Sequence, residues 1–377
     1  MKIENAKLSQ YNEVKQFLED AYGSSRESFP QRWPQFWKKE YADFRNVLLV
    51  RDNNIIVSLV RIFPLTFQLK DVTIKSAGIG NVATLYPHRG KGYMSKLLNE
   101  ALLQIKKDKI PISILWGDRH RYGFFGYEKC GSCVKLSVNA RGINKLGIKP
   151  AEAERFFGDK TILEKIINLY NSNSYKRERT IKDFETIYFK RGVATYYTIK
   201  NQGFAYVTLP STESSGGGAL YEFGGNPELL LGLLQNLSVR FGQNSFIFTY
   251  PNLIEIPDVI LNSASSWSAH NMCDLKIIDL KETLNLFMRQ TDVSFPDGEE
   301  ITFTIKDKES VTVYKTDGTV YVEGKKGKNE IILSEQDMVR LLFGLTFWAP
   351  NNIDTPTKRL LQRFLPFSFF VWPTDTV

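Results

Sequence analysis

The spacing of hydrophobic residues along the first 140 residues changes several times between the helical and the extended period. Val14, Phe17, Leu18 and Ala21 recur at intervals of three and four residues, which places them on one face of a helix. The stretches that follow are aliphatic and β-branched and predict strands. They cover residues 46–50, 55–60, 67–70, 72–75, 79–85 and 112–116.

Between the last two of these strands the pattern returns to the helical period. Hydrophobic residues at positions 94, 97, 98, 101, 102 and 105 share one helical face, and two glycines precede them. A strand, a glycine-containing turn, a helix and a second strand form an α/β unit in which the helix crosses over the sheet. The sequence therefore predicts a mixed sheet with a crossover helix.

The middle of the chain repeats the mixture of helix and strand. The hydrophobic pattern predicts helices at 150–170 and 228–241 and a hairpin at 195–209. A polar, glycine-rich loop is predicted at 211–218. These elements form a second mixed α/β unit, but without an obvious glycine-rich turn between a strand and a helix.

The last part of the chain reads as a smaller α+β unit. Strands are predicted at 301–305, 311–314 and 320–322, and Ser334 is a good N-cap for a helix that follows it. We therefore predict three domains, covering residues 1–140, 141–270 and 271–377.

Composition indicates a folded protein in a reducing compartment. Of the 377 residues, 42% are hydrophobic and 24% are charged, which is too apolar for a disordered chain. An odd count of three cysteines argues against a secreted disulfide framework. The N-terminus lacks the pattern of a signal peptide, and the most apolar stretch, residues 364–372, is far shorter than the roughly 20 residues that span a bilayer. We expect a soluble cytoplasmic protein.

The net charge of +8 leaves several partners open. It is compatible with nucleic acid, an anionic membrane or a polyphosphorylated small molecule. The sequence lacks interleaved basic and aromatic motifs, so nucleic-acid binding ranks last. We expect neither nucleic acid nor a membrane as a partner.

The glycine-rich turn at residues 89–95 (RGKGYMS) could hold phosphate groups. Between a strand and a helix, free backbone N–H groups and the positive end of the helix dipole converge on an anion. Glycine lets the backbone approach a ligand closely, and Arg89 and Lys91 add positive charge. The alternative is a tight turn that needs glycine for its geometry alone.

Two other motifs are weaker. Residues 78–83 (GIGNVA) have the spelling of a dinucleotide-binding fingerprint, but they enter a strand instead of leaving one for a helix. Cys130, Cys133, His270 and Cys273 are possible zinc ligands, yet the two pairs fall in different predicted domains. We regard them as ordinary small residues and expect no metal.

Residues 82–92 resemble the acetyl-CoA strand and pyrophosphate loop of the GNAT superfamily of N-acetyltransferases. In that loop Gln or Arg stands three residues before a glycine, and Arg89 and Gly92 fill these places. The usual small residue two positions after the glycine is Met94 here, a departure that many members of one subfamily share.

That subfamily is the Eis type (enhanced intracellular survival), whose members acetylate amines. Residues 121–127 (RYGFFGY) resemble its Tyr-Gly-x-Phe-Gly-Tyr segment, and residues 365–372 resemble its aromatic C-terminal tail. The resemblance implies two tandem GNAT-like mixed-sheet domains, the second degenerate, followed by a smaller sterol-carrier-protein-like α+β domain. It also implies a homo-oligomer, a trimer or a hexamer.

The resemblance assigns roles to particular residues. Tyr122 is implied as the general acid, and the main-chain carboxylate of Val377 as the general base. The residues implied to bind acetyl-CoA are Val82, Ala83 and Thr84 along the strand, Arg89, Gly90, Lys91, Gly92, Tyr93, Met94 and Ser95 at the turn, and Gly117 and Asp118 beside the thioester.

The sequence thus predicts an acetyl-CoA-dependent N-acetyltransferase that acts on a primary amine, either a small molecule or a lysine side chain. A non-catalytic acyl-CoA-binding or lipid-binding regulatory protein is the alternative. Tyr122 and the C-terminal tail favour the enzyme. The amine itself is not identified by the sequence.

Overall fold

The computed structural model describes residues 2–23, 28–211, 218–252, 254–290 and 294–377. Most of the loop predicted at 211–218 and the first residue of the chain lie outside these ranges. In the N-terminal part the strands are β1 (Ile3–Asn5), β2 (Val47–Asp52), β3 (Ile55–Leu69), β4 (Val72–Thr84), β5 (Ile112–Leu115) and β6 (Glu128–Cys130). The helices there are α1 (Tyr11–Tyr22), α2 (Ser28–Arg32), α3 (Pro34–Trp37), α4 (Tyr93–Lys107) and α5 (Arg119–Gly123).

The middle of the chain adds eight strands and five helices to the described structure. The strands are β7 (Cys133–Asn139), β8 (Glu154–Arg155), β9 (Tyr175–Arg177), β10 (Val193–Lys200), β11 (Gly203–Pro210), β12 (Glu222–Gly225), β13 (Ser245–Pro251) and β14 (Ala264–His270). The helices are α6 (Ala140–Lys145), α7 (Lys160–Asn171), α8 (Ile181–Ile187), α9 (Pro227–Phe241) and α10 (Asp258–Ser263).

The C-terminal part is smaller. Its strands are β15 (Cys273–Ile277), β16 (Glu300–Ile305), β17 (Glu309–Thr316), β18 (Thr319–Glu323) and β19 (Glu330–Leu333). Its helices are α11 (Leu280–Phe287), α12 (Glu335–Phe343) and α13 (Thr355–Leu361), and a 3₁₀ turn, Pro373–Asp375, lies near the chain end. No helix in the described ranges combines the length and the apolar character that crossing a bilayer requires.

The first sheet is built around a long hairpin of β3 and β4. Its strand order is β1-β2-β3-β4-β5-β15-β6, and β9 pairs with the far end of β3. The stretches predicted at 55–60 and 67–70 are both parts of β3, and those at 72–75 and 79–85 are both parts of β4, which ends at Thr84. The prediction of four short strands was therefore wrong.

Pro64 hides the continuity of β3 in the sequence, because proline cannot donate to a strand ladder. The structure accommodates it at a free edge. On the side of β3 away from β4, β2 pairs only as far as Arg61 and β9 pairs only from Phe67. Pro64 falls between these two partners, where no hydrogen bond of the described strands is lost.

The parallel pair β4 and β5 opens after a short contact. Pairing covers three residue pairs, from Ser76 opposite Ile112 to Gly78 opposite Ile114. β4 then continues to Thr84, whereas β5 ends at Leu115. The two strands separate beyond Gly78, which leaves a cleft along one edge of β4.

Helices cover both faces of this sheet. On one face α4 buries Leu97, Leu98, Ala101 and Ile105 completely, which confirms the predicted helical face. On the other face lie α1, α2 and α3, with Val14, Phe17 and Leu18 of α1 in a separate core. The sheet is thus shielded from water on both sides, as a sheet with a crossover helix requires.

The remaining sheets have the orders β12-β11-β10-β8, β13-β7-β14 and β18-β17-β16-β19. The predicted hairpin at 195–209 is formed by β10 and β11, and α9 begins at Pro227, one residue before the predicted start, and ends at Phe241 as predicted. The helix predicted at 150–170 begins only at Lys160, because Glu154 and Arg155 form an edge strand on β10. The mixed α/β class is confirmed throughout.

Strands from the later parts of the chain enter the first sheet. β15 lies between β5 and β6, and β9 extends the edge of β3. A division into the consecutive blocks 1–140, 141–270 and 271–377 stays a prediction.

The aromatic C-terminal segment is buried, as its composition predicts. Phe367, Phe369, Phe370 and Trp372 are each at most 3% exposed. Phe369 packs edge-on against Phe67 of β3, with ring centroids 5.7 Å apart. The end of the chain is therefore held against the first sheet.

Candidate active site

The turn from β4 into α4 has the backbone geometry of an anion-binding site. Gly90 and Gly92 have φ angles of +79° and +75°, a left-handed conformation that favours glycine. Gly92 is the N-cap of the 15-residue helix α4 and offers no side-chain cap, so the first N–H groups have no such partner. A Cβ on either glycine would meet no atom within 4 Å, so space is open in front of the helix.

The predicted cofactor residues of this turn lie together. Tyr93 and Met94 are half-buried against the core beneath α4, while Ser95 is exposed in the first turn. Arg89 folds back, with Nε donating to the carbonyl oxygen of Thr84 at 3.2 Å. Lys91 Nζ lies 3.9 Å from a carboxylate oxygen of Asp52. Both cations are exposed and make only weak surface contacts, so a phosphate at the N-terminus of α4 could attract them away from these contacts.

Val82, Ala83 and Thr84, which the resemblance implies bind acetyl-CoA, form the end of β4 along the cleft. Their carbonyl oxygens already accept hydrogen bonds from side chains of the chain itself. These bonds run from the Tyr22 hydroxyl to Val82 (3.2 Å), from the Ser58 hydroxyl to Ala83 (3.0 Å) and from Arg89 Nε to Thr84 (3.2 Å). A ligand on this segment must use N–H groups or displace one of these contacts.

Asn81 marks a β-bulge in the wall of the cleft. The pairing of β4 with β3 shifts between Ala83, opposite Leu59, and Gly80, opposite Arg61, and Asn81 has a φ of +52°. Its Oδ1 atom is buried and has no hydrogen-bond partner among the described residues. The sequence offered one hint, an asparagine between strand residues, since asparagine tolerates a left-handed conformation. Asn81 presents an acceptor to whatever fills the cleft.

Tyr122 lies on α5 and is only 8% exposed. The helix begins after Asp118, whose Oδ1 accepts a hydrogen bond from the Arg121 N–H at 2.7 Å. Asp118 is exposed and acts here as a helix cap, so its predicted place beside the thioester stays a prediction. The Tyr122 hydroxyl has no hydrogen-bond partner within the described part of the chain.

The surroundings of Tyr122 keep its hydroxyl protonated. Burial raises the pKa of Tyr122, and although Arg121 acts in the opposite direction, Asp274 and Asp118 add to the increase. A phenol whose pKa lies above its usual value of about 10 is neutral at physiological pH. It can therefore donate a proton.

Gly117 makes room for the Tyr122 ring. A Cβ on Gly117 would overlap the edge of that ring, so no larger residue fits without moving it. The Gly117 N–H donates to Asp274 Oδ2 at 3.3 Å, and Lys129 Nζ pairs with the same oxygen at 2.8 Å. Asp274 comes from β15, far along the chain, and was missed by the sequence analysis. It fixes the turn that carries Tyr122.

Val377, the last residue of the sequence, lies against one face of β4 at Gly78 and Gly80. A Cβ on Gly78 would lie 2.5 Å from Val377 Cγ2, and a Cβ on Gly80 would lie 3.5 Å from the main-chain carboxyl carbon of Val377. The two glycines of the rejected dinucleotide motif therefore admit the chain end. Val377 and Tyr122 line one cavity of about 320 Å³, together with Gly80, Asn81 and Val82 of β4.

A buried ionic cluster holds the residues that precede Val377. Asp375 is 2% exposed and pairs with Arg179 Nε at 2.8 Å and with Arg177 Nε at 2.9 Å. The Tyr170 hydroxyl donates to Asp375 at 2.8 Å, and Arg179 also donates to the Thr374 hydroxyl at 2.8 Å. Burial alone would raise the pKa of Asp375, but the two arginines outweigh it and the pKa is lowered.

The four possible zinc ligands lie on neighbouring strands. Cys130 on β6 is opposite Cys273 on β15, with the sulfur atoms 3.5 Å apart. Cys133 on β7 is opposite His270 on β14, whose Nε2 bonds to the Ser268 hydroxyl. Among the residues described, no cluster of three or more His, Cys, Asp or Glu side chains is arranged to hold a metal.

β4 and β5 thus part beside a helix N-terminus that has no side-chain cap, and Tyr122 lines the adjoining cavity. Residues 2–130 match the family model of the acetyltransferase (GNAT) domain. This part of the chain is a GNAT domain, and the predicted acetyltransferase class is confirmed. A comparison with curated proteins found no match.

Solved structures show the same fold over the full length. A probable N-acyltransferase from Enterococcus faecalis V583 has a TM-score of 0.73 at 16% identity, with 100% of this chain and 99% of that one covered. A GCN5-related N-acetyltransferase from Kribbella flavida has a TM-score of 0.69 at 15% identity, and Eis1 from Mycobacterium abscessus 0.70 at 11%, each with both chains fully covered. The mixed α/β fold that the resemblance implies is thus confirmed over the full length.

Proposed function

We propose that the protein transfers an acetyl group from acetyl-CoA to a primary amine by direct attack, with Tyr122 as general acid and the Val377 carboxylate as general base. The observation that carries the proposal is the meeting of Tyr122 and Val377 in one cavity at the opened edge of β4. The two residues come from distant parts of the sequence, and Gly78 and Gly80 lack the side chains that would keep Val377 out.

The reaction requires that the amine is neutral, that the tetrahedral oxyanion is stabilised and that the departing thiolate receives a proton. The Val377 carboxylate attracts the substrate ammonium and accepts its proton, after which the nitrogen attacks the thioester carbonyl. The carbon–sulfur bond then breaks, and Tyr122 donates its proton to the departing thiolate. Because a thiol has a pKa of only about 8.5, its thiolate leaves fairly well, and a tyrosine with a pKa near 10 can protonate it as the negative charge develops.

The acyl donor is proposed to bind with its pyrophosphate at the N-terminus of α4 and its pantetheine arm along residues 82–84. The left-handed glycines and the open space in front of the helix support this placement. The phosphates would then attract Arg89 and Lys91 away from their present surface contacts. The choice of acetyl over longer acyl groups rests on the resemblance alone, and comparison of acetyl-, butanoyl- and decanoyl-CoA would test it.

A C-terminal extension tests the base most directly. Two or three residues appended after Val377 replace the carboxylate by a neutral peptide carbonyl and crowd the cleft. We expect acetyl-CoA-dependent thiol release with a panel of amines to fall strongly, with little change in the melting temperature. The same residues appended at the N-terminus provide the control. If the extended chain turns over as fast as the control, Val377 is not the base.

Thiol release also distinguishes the enzyme from the alternative, a non-catalytic acyl-CoA-binding or lipid-binding regulator. Such a protein would bind acetyl-CoA without releasing CoA in the presence of any amine. The proposed trimer or hexamer and the sterol-carrier-like character of the C-terminal unit rest on the resemblance. Light scattering would test the first, and a fluorescent fatty-acid binding assay the second. A reducing, cytoplasmic location is proposed from the odd count of three cysteines.

A further inference from the structure

The cavity that holds Val377 and Tyr122 has an aromatic wall. The wall is formed by residues of α1–α3 and β3, the residue between α2 and α3, and the residue after β5. Its members are Tyr22, Phe29, Trp33, Trp37, Phe63 and Trp116. Phe29 lies at the centre, with ring centroids 5.4 Å from Tyr22, 5.5 Å from Trp33 and 5.7 Å from Trp37. These rings are held by one another and form a preorganised apolar surface.

The described residues that line this cavity are unsuited to a polycation. Of the described residues that line the cavity, none has a side-chain carboxylate, and Arg32 has a cationic side chain. The carboxylate of Val377 is the one anionic group that this lining provides. It can pair with one ammonium group, and each further buried ammonium would lack a partner, which is costly.

A second cation stands behind the wall. The guanidinium carbon of Arg61 lies 4.6 Å from the ring centroid of Trp37 and 4.7 Å from that of Phe63. Arg61 is 5% exposed and donates to the carbonyl oxygens of Phe36 and Asp43, at 3.3 and 3.1 Å. Burial lowers the pKa of Arg61 to about 10, and Asp43 opposes this, so the side chain stays charged at neutral pH.

Arg61 therefore changes what the wall attracts. A cation prefers the face of an aromatic ring, and Arg61 already occupies one face of Trp37 and of Phe63. Its charge also repels a second positive group brought to the other face. What remains favourable is contact with an uncharged aromatic or aliphatic body.

We infer that the acceptor is an aralkyl monoamine, with one ammonium group at the Val377 carboxylate and an aromatic body against the ring wall. The inference rests on the proposed function and names its substrate class. It separates this site from one built for polyamines or amino sugars, which carry several ammonium groups.

The test compares two kinds of amine in the thiol-release assay with acetyl-CoA. Phenethylamine and tryptamine represent aralkyl monoamines, and spermidine and kanamycin represent polycations. We expect kcat/KM to be at least about tenfold higher for the aralkyl monoamines. A polycation that matches or exceeds them overturns the substrate class and leaves the proposed function intact. If none of the amines supports thiol release, the proposed function is overturned, and the inference with it.

A pair of tryptophan variants tests the wall itself. Trp33→Ala removes a half-buried ring of the cavity, whereas Trp267→Ala removes a tryptophan on β14 that is 64% exposed and outside the cavity. For phenethylamine we expect Trp33→Ala to lower kcat/KM by about tenfold, mainly through KM, with unchanged acetyl-CoA affinity. Trp267→Ala should match the wild type. Equal kcat/KM values for Trp33→Ala and the wild type would overturn the inference.

Discussion

Gly78 and Val377 are in such close contact that one methyl group would force them apart, since a Cβ on Gly78 would lie 2.5 Å from Val377 Cγ2. Gly78 is also the last residue of β4 that pairs with β5, so this contact lies where the two strands begin to separate. The absence of a side chain at residue 78 thus lets the chain end reach the strand.

Gly78→Ala should displace Val377 and lower kcat by about 10²-fold or more, the usual contribution of a general base, with acetyl-CoA affinity retained. The second-site change Val377→Ala removes the clashing methyl groups but keeps the carboxylate. The double variant should therefore regain much of the activity, and Val377→Ala alone should be mild. Steady-state kinetics of the three variants measure this.

Gly324→Ala is a matched control for that substitution. A Cβ on Gly324 would meet one atom, Lys281 Cδ, at an ordinary 3.7 Å. It should leave kcat unchanged. If Gly78→Ala also leaves kcat unchanged, the position of Val377 does not matter for turnover.

Tyr122→Phe should lower turnover by about 10²- to 10⁴-fold, because it removes the proton donor and keeps the ring. Isothermal titration should show nearly unchanged acetyl-CoA affinity, since the ring still fills the space beside Gly117. The second tyrosine of the same motif is the control. Tyr127 is 1% exposed, and its hydroxyl bonds to the Ser113 hydroxyl at 2.7 Å.

Tyr127→Phe should therefore cost about 1 kcal/mol of stability and leave the chemical step intact. A larger loss of turnover for Tyr127→Phe than for Tyr122→Phe would mean that Tyr122 is not the general acid.

Gly92→Val should weaken acetyl-CoA binding at least about tenfold, measured by calorimetry. The residue has a left-handed φ at the N-terminus of α4, and a bulky side chain there would occupy the open space proposed for the pyrophosphate. Gly242→Val is the matched control, because Gly242 is also left-handed, at +65°, also lies in open space and ends α9. Both variants should lose a similar ~1–2 kcal/mol of stability. Equal acetyl-CoA affinity in the two would place the cofactor elsewhere.

The parts of this site that could be predicted from sequence are those encoded by local patterns. The helix α4 and its glycine turn follow from hydrophobic spacing and from residues that are consecutive in the chain. Tyr122 and Val377 came from motif resemblance, and their meeting in one cavity depends on how the chain folds back. Asp274, which orients the Tyr122 turn, is 157 residues from its partner Gly117. No periodicity relates two such positions.

The aromatic wall was hidden for another reason. Trp33 and Trp37 lie on or beside α2 and α3, helices of five and four residues that are too short to show a periodic pattern. The function of Gly78 and Gly80 was obscured because glycines in a strand suggest a bulge or a close backbone approach without saying what approaches. Here the approaching group is the end of the chain itself.

The pairing of Arg179 with Asp375 joins residues 196 positions apart and should control both stability and turnover. Asp375→Asn removes the carboxylate that Arg177 and Arg179 share. Because Arg177 keeps its pairing with Asp183 and Arg179 keeps its pairing with Glu222, the loss should be about 1–3 kcal/mol at pH 7. Because Asp375 lies two residues before Val377, kcat should fall more than acetyl-CoA affinity does. The exposed pair of Asp43 and Arg45 provides the control, and Asp43→Asn should cost no more than about 1 kcal/mol.

The difference in stability between the wild type and Asp375→Asn should depend on pH with a definite sign. The pKa of Asp375 is lowered in the folded protein, so the unfolded chain binds its proton first as the pH falls. The contribution of the carboxylate is therefore complete above its ordinary pKa of about 3.9 and is lost as the pH falls through the lower folded-state value. Urea unfolding at pH 7 and at a series of values below 4 should show the wild type and Asp375→Asn converging in stability. A gap that stays constant down to the lowest pH would mean that the charge of Asp375 does not stabilise the chain end, and that the substitution acts through packing alone.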